Sequence, residues 1–311
     1  MNQPISSFVY CGRWAFKGWP ADGCRVQNEE IRVGARPSLK MPGVPCKQRF
    51  VSDLNGLFAV YKPTGITSAF LVNRLKQILF SEQKRQDQDH SHHKTKGISQ
   101  PSKRLRIGHG GTLDMNASGV LVVGVGRGTK MLTNMLKGRK RYHAVGCLGS
   151  ATDTQDALGK VTLQLPSGHV TQDMVEASLE GFVGNIMQVP PLYSALKMGG
   201  VRMSDLARSG EINQPKPARP VTVHNLKSLQ FSPPYFTLDV HCGGGFYVRQ
   251  LIHDLGKVLG TCAHLVELER TQQGPFTLQH VLQTEEEWTI QNICKAIADF
   301  DKTIQPGRLL E

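Results

Sequence analysis

The chain has no C-x-x-C pair, and its seven cysteines, Cys11, Cys24, Cys46, Cys147, Cys242, Cys262 and Cys294, form an odd set with no histidine at a matching spacing. That pattern argues against a zinc site and against a complete disulfide framework. No apolar run approaches the ~20 residues that a membrane-spanning helix needs; the longest, inside Gly119 to Gly126, is far shorter. The first residues lack the compact apolar core and small-residue cleavage site of a secretory signal, so an intracellular, reducing setting is expected. Aromatic residues are few, at 7%, and 25 Asp and Glu are outnumbered by 37 Lys and Arg, for a net charge of +12. Such an excess favours encounters with polyanions but also serves solubility, so it acquires meaning only beside a site. What is present, 39% hydrophobic residues over 311 positions with 32 glycines, suits one large globular domain or two smaller ones and excludes wholesale disorder or collagen.

Residues 1–52 carry scattered Trp, Pro and Gly with a basic excess and no sustained period, and read as a poorly ordered basic arm. It holds Arg13 and Lys17 but few serines and several Gly/Pro breaks, which argues against a mitochondrial presequence; nucleus or cytoplasm is the expected location. Order is expected from Leu57-Phe-Ala-Val-Tyr61, a short strand ended by Pro63-Thr-Gly65. With Ser68 as N-cap, Leu71, Leu75, Ile78 and Leu79 then stripe one face of a helix. The polar stretch 81–104, with His90, His92 and His93, reads as a flexible insertion whose histidines are solvated. Further on, Gly119 to Val125 and Tyr142 to Leu148 read as strands. A helix from about Thr171 buries Val175, Leu179, Phe182 and Val183. Strands follow at Val221/Val223 and Phe236/Leu238/Val240, and a helix presents Leu251, Leu255, Val258 and Leu259. Strands interspersed irregularly with helices, several alternating in the antiparallel manner, predict an α+β fold with a mixed, mostly antiparallel sheet.

The densest special segment is Arg106-Ile-Gly-His-Gly-Gly-Thr-Leu-Asp-Met-Asn-Ala-Ser-Gly119. Its glycines around His109 let the backbone approach a ligand closely, and Asp114, between Leu113 and Met115, is a semi-buried carboxylate if it faces inward and a plain turn residue if it does not. Gly124-Val-Gly-Arg-Gly-Thr-Lys130 follows a strand and opens a helix, the setting of a phosphate loop. The Walker spacing fails there, however, and basic residues stand where a ribose-binding acid belongs, so packing on glycines is the better reading. Cations and rings interleave at Lys140-Arg-Tyr142, at Tyr193-Ser-Ala-Leu-Lys197 and at Gly245-Phe-Tyr-Val-Arg249. That mixture suits RNA, with cations against phosphates and rings against unpaired bases, although each tyrosine taken singly could equally be a core residue.

Taken together, Tyr-Lys62-Pro63 with Gly65, the Gly-His109-Gly-Gly-Thr-Leu-Asp114 loop, Lys140-Arg-Tyr142, Thr152-Asp-Thr-Gln-Asp156, Tyr193 to Lys197, Ala218-Arg-Pro-Val-Thr222 and Gly245-Phe-Tyr247-Val-Arg249 resemble the TruB family of tRNA pseudouridine synthases, in particular its eukaryotic type. The resemblance runs from Leu57 to Leu282. It implies a pseudouridine synthase catalytic domain over residues 53–282 with a central RNA-binding cleft, no metal and no organic cofactor. The implied reaction is isomerisation of a uridine in the T-loop of tRNA, with T-loop-like stems in mRNA as further candidates. It implies that Asp114 is the nucleophile, that Tyr247 packs on the target base and takes part in proton transfer, and that Arg249 pairs with the aspartate. Tyr142 becomes a second ring against the uridine, His109 helps the base leave the stack, and Leu268 is an apolar contact near the nucleotide. Residues 283–311 are expected to be a short extension, too short for the PUA RNA-binding domain of bacterial and archaeal relatives, and a monomer without membrane contact is expected. The competing expectation is a catalytically idle RNA-binding, processing or chaperone protein of the same fold, which need not keep Asp114, Tyr247 and Arg249 together.

Overall fold

A computed structural model describes residue 51 and residues 54–91 and 105–303. In chain order the elements are β1 (Gly56–Lys62), α1 (Ser68–Ser91), β2 (Ile107–His109), β3 (Ala117–Val125), a 3-10 turn Gly126–Met131, α2 (Leu132–Lys137), β4 (Lys140–Leu148), β5 (Ser150–Thr152), β6 (Val161–Gln164), α3 (Gln172–Glu180) and β7 (Gly184–Gln188). There follow β8 (Lys197–Met198), β9 (Val201–Arg202), α4 (Met203–Arg208), β10 (Arg219–Ser232), β11 (Tyr235–Cys242), α5 (Val248–Val258), β12 (Ala263–Gln273), β13 (Phe276–Thr277), β14 (Val281–Leu282) and α6 (Ile290–Thr303). Among the described residues one sheet runs β14-β1-β3-β12-β4-β11-β10-β7, with β13 on β12 and β2 on β3. The pairs β1/β14 and β3/β12 are parallel and the rest antiparallel, so the expected mixed, mostly antiparallel α+β sheet is what forms.

The two halves of the sheet bury themselves differently, and the sequence shows why. In β1 and β3 every second residue faces a different apolar cluster: Phe58, Val60, Leu121 and Val123 pack with α1 and α6, while Leu57, Ala59, Val120 and Val122 pack with Met135, Phe276 and Phe300. A strand covered on both faces reads as a continuous apolar run, which is the pattern of Val120 to Val123. In β4 alternate residues are buried, and Ala144 joins Phe236, Leu238, Leu251, Ile252 and Leu255 beneath α3 and α5. Gly119 marks the closest approach of β3 to β12: its φ is 104°, and a side chain there would run into the Arg270 backbone. Gly128 similarly sits against the Gly56 carbonyl, so the glycines of the 124–130 segment serve packing of the turn onto β1.

Several expectations need correcting. Thr67, not Ser68, caps α1: its Oγ1 accepts from the Phe70 amide at 3.1 Å. Helix α1 does not stop at Phe80 but continues to Ser91, because Ser81 to Ser91 is rich in Glu, Gln, Lys and Arg without Gly or Pro, residues that keep a helix going without an apolar stripe. The remainder of the anticipated insertion, 92–104, and the 1–52 arm apart from Val51 lie outside the described residues. Val258 is exposed and Ile252 takes its place in the core, since α5 buries the face through Leu251, Ile252 and Leu255. Residues 283–303 are no appendage: Trp288, Ile290, Ile293 and Ile297 fill the cluster under β1. At about 1.5–3 kcal/mol per large apolar side chain fully buried, that segment is part of the fold.

Candidate active site

Asp114 lies on the loop between β2 and β3, and its backbone is pinned at almost every residue. The Ser68 hydroxyl donates to the Leu113 carbonyl and accepts from the Leu113 amide, both at 2.9 Å. Gln273 Nε2 donates to Gly110 O at 2.7 Å, and Arg270 to Gly111 O at 3.1 Å. On the other side of the carboxylate, fully buried Lys62 donates to Met115 O at 3.3 Å and Ala117 O at 2.5 Å. A loop so tied presents its one acid with little freedom, which is what a preorganised reacting group requires.

The side chain that meets this acid comes from the first turn of α5. Arg249, 4% exposed, donates from Nε to Asp114 Oδ2 at 2.7 Å, from one terminal nitrogen to Thr154 O at 2.8 Å and from the other to Tyr193 O at 2.9 Å. The planar guanidinium thus has an acceptor on each nitrogen, while the Asp114 side chain stays 40% exposed to the cleft. Tyr247 immediately precedes α5. Gln188 clamps its backbone through both amide and carbonyl, at 2.9 and 3.0 Å, and the Arg219 guanidinium stands 5.3 Å from the ring centre, a cation–π contact.

His109, Asp114, Tyr142, Tyr247, Arg249 and Leu268 all line a single cleft of about 620 Å³. Tyr142 and Arg270 face each other across β4 and β12, and Leu268 lies two residues along the same strand face. Burial pushes the Tyr142 hydroxyl up to about 12, against the pull of the neighbouring Arg270 charge. Burial likewise lowers Arg270 from the ordinary arginine range and brings Lys62 down to about 8. His109 is held below the usual imidazole value, by burial first and then by Arg270 and Arg202. Its Nδ1 is buried without a partner among the described residues. The ring therefore enters the cleft neutral, a flat polar surface rather than a cation.

Not every basic residue of the interleaved motifs serves the cleft. Lys140 donates its three ammonium hydrogens to the carbonyls of Met135, Leu136 and Gly138, ending α2, and burial lowers it to about 8. Arg141, one step along β4, points to the other face and pairs through two nitrogens, each at 2.7 Å, with buried Asp239. Both expected phosphate contacts are thus structural: strand alternation sends Arg141 away, and the carbonyls of the α2 end occupy Lys140. Lys62, Arg270, Gln188 and Ser68 were the parts that pattern reading missed as site supports. Lys62 stood in a recognised motif, and Arg270 two residues beyond Leu268 could have been read as sharing its face. No group of three or more potential metal ligands occurs among the described residues.

Comparison with known proteins gives the cleft its context. Residues 98–248 match the TruB family pseudouridylate synthase N-terminal domain, and residues 249–309 the tRNA pseudouridylate synthase B C-terminal domain. The chain is 54% identical over 245 residues to the pseudouridylate synthase TRUB1 of Homo sapiens, covering 79% of this chain and 68% of that one. It is 38% identical over 232 residues to the tRNA pseudouridine synthase B of Syntrophotalea carbinolica, covering 75% of this chain and 68% of the other. Among solved structures, a chain of a Cbf5–Nop10–Gar1 complex superposes with a TM-score of 0.51 at 26% identity, over 80% of this chain and 57% of that one. The cleft that holds Asp114, Arg249 and Tyr247 is therefore part of a fold with a known lineage, and the chain belongs to the TruB family of pseudouridylate synthases.

Proposed function

We propose that this protein is a tRNA pseudouridine synthase, an isomerase that converts a uridine in the T-loop to pseudouridine, with T-loop-like stems of structured mRNA as further substrates and the monomer as the working unit. The observation that carries the reading is the exposed Asp114 carboxylate held by buried Arg249 at the base of a cleft walled by Tyr142, Tyr247 and Leu268. Isomerisation breaks the bond between the ribose and N1 of uracil, turns the base and rejoins it through C5. The proton lost from C5 is balanced by one gained at N1, so no atom enters or leaves. Asp114 supplies the nucleophile that the sugar needs while the base is detached. Tyr247 and Tyr142 keep the loose base between flat surfaces, and Leu268 excludes water from one side. Neutral His109 at the mouth offers a ring against which a neighbouring base can stack as the target swings out, an extrusion costing a few kcal/mol.

An idle RNA-binding relative would have no need for an arginine that devotes its three nitrogens to one carboxylate and to the carbonyls of Thr154 and Tyr193. The deciding experiment incubates the purified chain, and its Asp114→Asn variant, with unmodified tRNA and maps pseudouridine by position. Product at a single T-loop uridine from the wild type and none from the variant is expected. Product from Asp114→Asn, or none from either, would overturn the assignment.

A further inference from the structure

Asp114 has a second opening beside it. Across the loop from the Tyr247 cleft lies another of about 390 Å³, and the two share His109, Thr112, Leu113, Asp114, Ala195 and Arg249. The second is framed by the start of α1 and by the β8–β9 hairpin with the following α4.

Three kinds of donor converge there. The first amides of a helix have no acceptor within it. In α1, a helix of 24 residues, the Thr67 side chain takes the Phe70 amide and the Thr67 carbonyl takes that of Leu71. The amide of exposed Ala69 is left for an outside acceptor, at the positive end of the helix dipole, whereas Ser68 is buried. Ser194, 3% exposed, lines the same opening, and its hydroxyl has no partner among the described residues, an uncompensated cost unless something binds there. Arg202, at the end of β9, also lines it and is paired with no carboxylate among the described residues. Of the acids that line it, Asp114 pairs with Arg249 and Asp205 with Arg208 at 3.5 Å, while Asp156 keeps its charge and accepts from Thr154 Oγ1 at 2.7 Å and from the Leu158 amide at 3.1 Å.

A helix N-terminal amide, a lone hydroxyl and an unpaired guanidinium together form a site for a tetrahedral anion. We infer that this opening is a phosphodiester subsite, in which the Ala69 amide, Ser194 and Arg202 hold one RNA backbone phosphate adjoining the nucleoside presented to Asp114. The inference rests on the RNA substrate proposed above. Because the two clefts meet at Asp114, a phosphate held in one fixes the ribose whose base lies in the other, so the subsite sets the distance between the sugar and its nucleophile.

The test uses the full chain and a set of T-loop stem-loop RNAs, each with one uncharged methylphosphonate linkage near the target uridine. Equilibrium binding and pseudouridine formation are both measured. For the wild type, one linkage should weaken binding about tenfold and its neighbours much less, as expected for the loss of one charge-assisted contact. In Arg202→Ala and in Ser194→Ala, affinity for the unmodified RNA should fall, and that same linkage should lose most of its effect. If every linkage costs the variants as much as the wild type, the subsite does not exist. If the wild type binds these RNAs but forms no pseudouridine, the enzymatic reading fails instead, while the binding arm still decides the subsite.

Discussion

Arg249 Nε lies 2.7 Å from Asp114 Oδ2, although the two residues are 135 positions apart in the chain. Their meeting joins a loop between two strands to the first turn of a helix. The carbonyls of Thr154 and Tyr193, from two further loops, complete the arginine's coordination. The ion pair is thus also the point at which four segments are held to a common geometry.

Replacing Arg249 with lysine keeps the charge but removes the planar fork, so at most part of this coordination survives. Single-turnover pseudouridine formation by Arg249→Lys should fall about a hundredfold, the usual consequence of a misplaced reacting group, with RNA affinity changed far less. A rate within about threefold of wild type would show that charge alone positions Asp114.

Arg270 is buried and donates to Val120 O at 2.8 Å and to Gly111 O at 3.1 Å. Arg270→Met should therefore cost about 3–5 kcal/mol in urea unfolding, because it strands these oxygens away from water. A loss below about 1 kcal/mol would mean that water reaches the site and replaces the guanidinium.

Lys140 carries a testable pH signature. Its folded value of about 8 lies below the ordinary lysine value of 10.5, so between the two the unfolded chain still holds a proton that the folded one has released. Folding stability from this group consequently rises as pH climbs through that window and is fully gained above it. The melting temperature of the wild type minus that of Lys140→Met should increase between about pH 7.5 and about pH 9.5. A gap that narrows would contradict the burial of the ammonium.

The segment after Leu282 should prove indispensable to folding. Ile293 is fully buried, and Ile293→Ala should lower stability by about 2–5 kcal/mol through lost transfer energy and the cavity left behind. Unfolding monitored by circular dichroism would show it, and an unchanged midpoint would restore the view of this segment as a loose extension.

What the sequence disclosed and what it withheld divide along physical lines. The alternation in β4 and β11 and the double-sided run in β3 announced their strands, because burial of one face or two leaves a periodic trace. The loop carrying Asp114 and the turn carrying Tyr247 and Arg249 were legible through their motifs, and the fold brings all six anticipated cleft residues to one place. Positions whose role depends on a distant partner left no local trace. Ser68 looks like a helix cap until Leu113 arrives beside it, and Lys140 looks like a phosphate contact until the end of α2 claims it. The helix through Ser91 was hidden for the opposite reason: it has no apolar stripe along that stretch, so only propensity marks it. Trp288, Ile293 and Ile297 lie beyond Leu282, where the resemblance ends.

Strand β12 enters the sheet between β3 and β4, two strands made more than a hundred residues earlier. Until it arrives, Leu268 and Arg270 are absent from the cleft, and β3 and β4 have no common neighbour. On the ribosome the nascent polypeptide can therefore assemble neither the nucleotide pocket nor the centre of the sheet until β12 has emerged. Refolding should accordingly be slow, limited by a closure that brings Gly119 beside Arg270.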